Sequence, residues 1–389
     1  MANDRPPEAS PARRPQVRRI MMRDFRSYTA LDLRLEGRMI ALCGENGAGK
    51  TNLLEALSLF APGRGLRRAE LSECARTDAS GGFALSLHIE DGDEERQLGA
   101  AYEAQASGAP PERRSRIDRA PVASTRDFSD HIRIVWLTPT MDGLFHGAAS
   151  DRRRFLDRLV LAIDPSHGAR VGQFERALRG RNKLLEDSHC DPAWLDAIEH
   201  EAAQLALAVA AARLDCVARL DALIMQKHED ASPFPWASVA LTGEVETLAG
   251  QMPAVQAEDH YRKRLHANRR LDAAAGRTLI GPHLSDLKVE HGPKRLPAAQ
   301  CSTGEQKALL VGVVLAHARL VAAMSGIAPL ALLDEIAAHF DPRRRAALYD
   351  ALERLGGQVF MTGADPAAFA GLEGRAQFCE VTPGRVALI

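Results

Sequence analysis

Aromatic residues make up only 5% of the 389-residue chain, too few to expect a channel in which unpaired bases stack on rings. An excess of charge is missing as well. Fifty Lys and Arg face 51 Asp and Glu, for a formal net charge of −1. That excludes a strongly basic, histone-like nucleic-acid binder. Contact with phosphate backbones has to come from local basic patches or from a surface created on assembly. The six cysteines, Cys43, Cys74, Cys190, Cys216, Cys301 and Cys379, form no CxxC pair. Neither a zinc site nor a thioredoxin-type centre is signalled, and the scatter suits reduced thiols in the cytoplasm. Residues 1–16 are polar and proline-rich, without the apolar core of a signal peptide, and read as a disordered tail. No run reaches the ~20 apolar residues of a membrane helix. The best, from Ala308 to Met324, is interrupted by His317 and Arg319 and suits a buried helix, so no membrane partner is expected. Sustained heptads and internal repeats are also absent.

What is present is globular: 46% hydrophobic and 26% charged residues, in a length that predicts two or three domains. Strand patterns run over 17–22, at Leu31, Leu33 and Leu35, over Met39–Cys43, at Phe83, Leu85, Leu87 and Ile89 before an Asp91-Gly92 turn, and over 132–137. Residues 104–121, rich in Ala, Pro, Arg and Ser, read as an exposed loop. From 150 to about 228 the spacing is helical, with a further helix over 253–271. Strand pattern returns at 284–290, followed by a helix after Thr303, a strand at Leu330–Leu333, a helix at Pro342–Leu355 and a strand at 358–361. The fold class is α/β. The expected division is an N-terminal lobe at 17–149, a compact helical insertion domain at 150–275 and the remainder of the first lobe at 276–389.

Three segments carry chemistry. Gly44-Glu45-Asn46-Gly47-Ala48-Gly49-Lys50-Thr51 matches GxxxxGK[ST] between a strand and a helix. Such a loop turns backbone N–H groups toward phosphate oxygens and adds the dipole of a helix N-terminus. Lys50 supplies a point charge for the β- and γ-phosphates, and Thr51 a hydroxyl for Mg²⁺. Leu330 to Leu333 followed by Asp334-Glu335 is an apolar strand ending in two acids. Asp334 suits the metal, and Glu335 suits the base that orients or deprotonates a water. Ser302-Thr303-Gly304-Glu305 opens the apolar helix with a capping box. The same capped start is a second anion grip, which suggests a nucleotide shared between two subunits.

The order of these segments resembles that of ABC-type ATPases. Further segments narrow the resemblance to the RecF family within the SMC/Rad50-like superfamily. Asp24-Phe25-Arg26-Ser27-Tyr28 is similar to that group's NFRNY segment. Ser302 to Lys307 is similar to the RecF version of the signature motif. Arg152-Arg153-Arg154-Phe155-Leu156-Asp157 and Thr278-Leu279-Ile280-Gly281-Pro282-His283 resemble two segments that transporters and SMC proteins do not carry. Together they cover most of residues 17–365.

The resemblance implies an ABC-type P-loop ATPase head that binds ATP and Mg²⁺ and hydrolyses slowly. ATP would lie between Gly44–Thr51 of one subunit and Ser302, Thr303 and Gly304 of another, in an ATP-dependent homodimer. It also implies a nucleotide contact for Arg26 and a DNA-coupling role for Arg64. The implied partners are double-stranded DNA near gap junctions, RecO and RecR, in repair linked to replication and the SOS response. A transporter ATPase, an SMC/Rad50-like tether and an ATP-binding protein without hydrolysis are the rival readings. The chain departs from the family in four places. Leu284-Ser285-Asp286 follows Gly-Pro-His where Arg-Asp-Asp is usual. Gly63 to Arg68 is a shortened loop. No glutamine stands in Leu137 to Thr140, and Met361 to Asp365 holds no switch histidine. Basic clusters at Arg13–Arg23, Arg64–Arg68, Arg113–Arg116 and Arg262–Arg270 are candidates for backbone-led, sequence-insensitive duplex binding.

Overall fold

The computed structural model describes residues 12–79, 81–103, 112–187, 189–227, 233–336 and 340–389. Two compact units divide the chain. One comprises 1–141, 232–234 and 314–389, and the other 142–231 and 235–313. The second unit therefore runs well beyond 275 and takes in the Gly-Pro-His segment and Ser302–Gly304, which the sequence reading assigned to the resumed first lobe. Helical spacing ends near 275, and the strands that follow it belong to the same unit. Periodicity alone could not show this.

The first unit contains two six-stranded sheets. One is antiparallel, in the order Tyr28–Arg34, Gln16–Phe25, Phe83–Asp91, Glu94–Glu103, Glu112–Ile117, Ala120–Val122. Its alternation is plain in Phe83–Asp91, where Phe83, Leu85, Leu87 and Ile89 are buried and the residues between them are more exposed, as in a sheet with one wet face. The last two strands lie in the segment read as a loop; residues 104–111 are outside the described ones. Only Ser115 of Glu112–Ile117 is buried, so no apolar alternation marked it. Asp118 and Arg119, both at positive φ, close a two-residue hairpin between Ile117 and Ala120.

The other sheet has the order Arg385–Leu388, Gln377–Thr382, Met39–Cys43, Val359–Gly363, Leu330–Leu333, Ile134–Leu137, parallel except for the first pair. Every residue of Met39–Cys43, Leu330–Leu333, Val359–Gly363 and Ile134–Leu137 is buried, as expected of parallel strands covered on both faces. Helix Lys50–Ser58 contributes Leu53, Leu54, Ala56 and Leu57 to a core shared with both sheets. Gln358, fully buried, joins the sheets: its amide accepts from Val17 N and donates to the carbonyls of Val17 and Gly37.

The expected tail at 1–16 is corrected at its end. Residues 1–11 lie outside the described ones, but Arg13 already exchanges backbone hydrogen bonds with Gly326 and Ala328 and reaches Asp91 at 2.6 Å. Strand Gln16–Phe25 then begins at Gln16 itself.

The second unit holds helices Ala149–Ile163, His167–Glu186, Pro192–Lys227, Glu244–Gln251 and Ala254–Ala275, with a three-stranded antiparallel sheet of Leu296–Pro297, Asp286–His291 and Ala237–Thr242. The 36-residue helix Pro192–Lys227 packs within the unit, where Ala202, Ala203, Ala206 and Ala210 let neighbouring helices approach. Segments 152–157 and 278–283 meet here. Asp157 takes the Arg213 guanidinium at 2.8 and 2.9 Å, and Arg213 also donates to Pro282 O and Ser285 Oγ. Arg152 forms a two-pronged bond to Asp286, at 2.7 and 3.0 Å. Arg152 and Arg213 are thus both spent inside the unit. Helix Thr303–Ser325 is long and apolar enough to cross a membrane by composition, and 61% of its most apolar window is buried.

Arg181 ties three helices together. Its guanidinium donates to Glu199 at 2.9 Å, to Asp272 at 2.7 Å, to Thr278 Oγ1 and to Leu265 O. All three charged groups are at most 1% exposed. Arg181→Met leaves two buried carboxylates without this cation and is expected to cost about 3–5 kcal/mol. Thermal and urea unfolding of the chain check this. Glu199 keeps Arg269 at 2.6 Å, so adding Asp272→Asn alone should restore most of the loss, because the uncompensated charge goes with it.

Candidate nucleotide site

The loop 44–49 joins the buried strand Met39–Cys43 to helix Lys50–Ser58. Gly49, the N-cap, sits at φ 112, a left-handed conformation that glycine adopts at little cost. A side chain at Gly44 would meet Val381 O at 2.2 Å, so the backbone passes flush against the sheet edge. Tyr28 secures the far side: its buried hydroxyl donates to Gly49 O at 3.1 Å, and burial pushes its pKa up. Lys50 is 5% exposed and curls over the loop, donating to Gly44 O at 2.5 Å and Glu45 O at 2.9 Å. These are weak, neutral acceptors for an ammonium. A polyphosphate offers it a stronger partner.

Thr51 Oγ1 lies 3.0 and 3.1 Å from the two carboxylate oxygens of Asp334. The two sequence motifs, 283 residues apart, therefore meet. Asp334 is buried and also accepts from Thr362 Oγ1 at 2.8 Å. Glu335 is exposed, at φ 50, with its N–H donating to the same Thr362 oxygen at 2.8 Å. A hydroxyl and a carboxylate are the hard oxygen donors that Mg²⁺ takes, so Thr51 and Asp334 fit that ion.

Arg26 approaches the loop helix from the strand side. Its guanidinium grips Glu55 with two bonds, 2.7 and 2.9 Å, and donates to Glu73 O at 2.7 Å. Glu55 is 1% exposed and is shared with Arg67, which also bonds Asn52. Five donors are available on a guanidinium, and the three that Arg26 uses here leave two. Arg64 lies farther out, in a surface ion pair with Glu70 in which both side chains are about two-thirds exposed. The sequence grouped Arg64 with Arg67 and Arg68, and the structure separates them: Arg67 reaches the P-loop helix.

In the second unit, Ser302 caps helix Thr303–Ser325. Its N–H and hydroxyl bond Glu305 at 3.1 and 3.0 Å, and Glu305 N returns to Ser302 Oγ at 3.4 Å. The capping box read from the sequence is there. Ser302, Thr303 and Gly304 are all exposed. A side chain at Gly304 would meet nothing within 4 Å. Glycine in the first turn of a helix costs ~1 kcal/mol against alanine, and nothing among the described residues requires it.

Three contributors were missed by sequence reasoning. Thr362 lies in the segment noted only for lacking a histidine. Glu55 is one acid in an amphipathic helix. Tyr28 was noted only as part of a motif. For Thr362 a signal existed: a polar residue ending an otherwise apolar strand beside a strand that ends in acids.

A P-loop at the C-terminal edge of a parallel sheet, with the acid of a nearby strand on its threonine, defines a P-loop nucleotide-binding head. The sequence matches the family described as RecF/RecN/SMC N terminal domain over residues 16–382. It is 52% identical over 372 residues to the DNA replication and repair protein RecF of Allorhizobium ampelinum, covering 96% of this chain and 98% of that one. Against RecF of Mesorhizobium japonicum it is 51% identical over 371 residues, covering 95% and 97%. Among solved structures, the recombination mediator protein RecF-ATPrS of the RecFOR pathway matches with a TM-score of 0.84 at 20% identity, covering 97% of this chain and 99% of that one. The Smc head domain from Pyrococcus furiosus, bound to the C-terminal domain of ScpA, matches at 0.51 and 13% identity, covering 96% of each. These two likenesses are of fold. The chain belongs to the RecF family of DNA replication and repair proteins.

The Lys294 ammonium, and then the Ser302 N–H, hold the Glu305 carboxyl at about 2. A carboxyl depressed in this way stabilises the fold fully above its unfolded pKa of ~4.3, and the contribution is lost as pH falls through about 2. An NMR titration of the Glu305 carboxyl should give a midpoint near 2, and Lys294→Ala should move it upward. A midpoint in the ordinary glutamate range in the unmodified protein would contradict the geometry.

Proposed function

We propose that this chain is an ATP-gated DNA clamp that acts in recombinational gap repair, in the cytoplasm where its cysteines stay reduced. The observation that carries the reading is the contact of Thr51 with Asp334, which brings a phosphate loop and a metal-holding acid to one point. The backbone N–H groups of Gly44 to Thr51 receive the phosphates, and Lys50 exchanges its loop carbonyls for the β- and γ-oxygens. Mg²⁺ held by Thr51 and Asp334 would neutralise charge between those phosphates. Glu335, exposed beside Asp334, serves as the base for the attacking water. Arg26 keeps Glu55 and offers its spare N–H groups to the nucleotide.

Ser302, Thr303 and Gly304 of a second copy close over the γ-phosphate. The open space above Gly304 supports this, since a side chain there would obstruct a close neighbour. Pairing of two copies then forms a positive groove for duplex DNA next to a gap, read through phosphates and sensitive to salt. Arg64 sits in an ion pair weak enough to be exchanged for a DNA phosphate, which suits a relay from DNA to the ATP site. Membership of the RecF family supports RecO and RecR as partners in loading the recombinase.

Ser302→Arg should spare ATP binding to the single chain but block pairing. Lys50→Met should abolish ATP binding. A mixture of the two variants can form one intact composite site, and it should regain part of the ATP-dependent dimerisation that each lacks alone. Light scattering of the mixture checks this, and no complementation would argue against a shared nucleotide. Glu335→Gln should retain ATP and lower single-turnover hydrolysis by about 10²-fold or more, giving a longer-lived dimer on DNA. Loss of ATP binding in that variant would move Glu335 to a structural role.

A further inference from the structure

Thr362 stands in a position that the established family membership does not explain. It is fully buried, on the strand Val359–Gly363 that lies between the P-loop strand and the strand ending in Asp334. Register sets its partners. Leu333 pairs with Met361 and Leu42 with Thr362, so the residue after Leu333 arrives beside Thr362. One hydroxyl then makes two bonds. It donates to Asp334 Oδ1 at 2.8 Å and accepts from Glu335 N at 2.8 Å. A threonine hydroxyl has a single proton, so the direction is fixed: the proton goes to the carboxylate and a lone pair receives the amide.

The backbone it holds is unusual. Glu335 is a non-glycine residue at φ 50, a left-handed conformation that costs roughly 1–2 kcal/mol and persists where neighbours over-determine it. The Thr362 oxygen is the hydrogen-bond partner of that residue's N–H. Asp334 in turn receives two hydroxyls, from Thr51 and Thr362. Three side chains and one strained amide thus form a single chain: Thr51, Asp334, Thr362, Glu335.

We propose that Thr362 is a positioning residue that couples the metal-holding carboxylate of Asp334 to the base Glu335, through a hydroxyl bonded to both. This rests on the ATPase reading above. With the Asp334 oxygen pinned, its carboxylate is pre-set for a cation. With the Glu335 amide pinned, the side chain of the base leaves the strand in one direction. Any shift of Asp334 on cation binding passes through one oxygen to the backbone of Glu335, which gives the site a link between occupancy and catalysis without a histidine in the Met361–Asp365 segment.

The test uses the full chain with Thr362→Val and Thr362→Ser, and reads ATP binding by a fluorescent analogue with and without Mg²⁺ beside the steady-state rate. Thr362→Val should leave Mg²⁺-free binding within about twofold of the parent protein. It should raise the Mg²⁺ concentration needed for half-maximal enhancement of binding roughly tenfold, the equivalent of about 1.4 kcal/mol. It should lower kcat by about 10²-fold, the scale of a misplaced catalytic group, with KM for ATP little changed. Thr362→Ser keeps the hydroxyl and should restore both quantities to within about threefold of the parent values. Thr362→Ala, which puts no methyl beside the carboxylate, repeats the comparison if the valine variant does not fold. Parent-like kcat and Mg²⁺ dependence in a folded Thr362→Val or Thr362→Ala would overturn the proposal and leave the ATPase reading standing. A parent protein that binds no ATP, or binds it as well after Lys50→Met, would overturn both.

Discussion

The site depends on the level at which three parallel strands end. Leu42 is opposite Thr362 and Leu333 is opposite Met361, so Met39–Cys43, Val359–Gly363 and Leu330–Leu333 deliver the P-loop, a threonine and an acidic pair to one edge of the sheet. A register slip of one residue would turn Asp334 to the other face. The strands are apolar on both faces because they are covered on both, and that burial holds the register. The polar groups appear where the strands stop, with hydroxyls of Thr51 and Thr362 meeting the buried Asp334 carboxylate.

The second unit follows a different logic. Three of its arginines are paired inside it: Arg181 with Glu199 and Asp272, Arg213 with Asp157, Arg152 with Asp286. A buried ion pair gives little net stability, but removing one partner is costly. Such pairs therefore constrain how helices and loops are arranged. Arg152 and Asp157 of segment 152–157 take part in them, so that segment works here as an internal fastener. After Gly281-Pro282-His283 comes Leu284, about half exposed, while Asp286 two residues later is held by Arg152.

Much of this was legible in the sequence, because phosphate binding imposes a local pattern. Gly44 to Thr51 and Leu330 to Glu335 each declare themselves within eight residues, and their meeting follows from the sheet order that such folds adopt. The capping box at Ser302 is equally local. Long-range features were not legible. Thr362 matters through a neighbour 28 residues away in sequence, Glu55 through two arginines from different loops, and Gln358 through a strand at the other end of the chain. The strand Glu112–Ile117 was hidden because nearly all its side chains face out. The extent of the second unit escaped a reading based on helical period, because its last elements are strands and a loop. The tail was placed too far along because a polar, proline-rich start looks solvated until a partner such as Asp91 is known for Arg13.

The central claim is that nucleotide brings two copies together over one phosphate chain. Static light scattering on the purified chain, with ADP, with ATP and with ATP plus duplex DNA, tests it directly. The account predicts a single chain with ADP, a rise toward twice the mass with ATP, and a larger dimer fraction when DNA is added. A species that stays at the mass of one chain under all three conditions would contradict it.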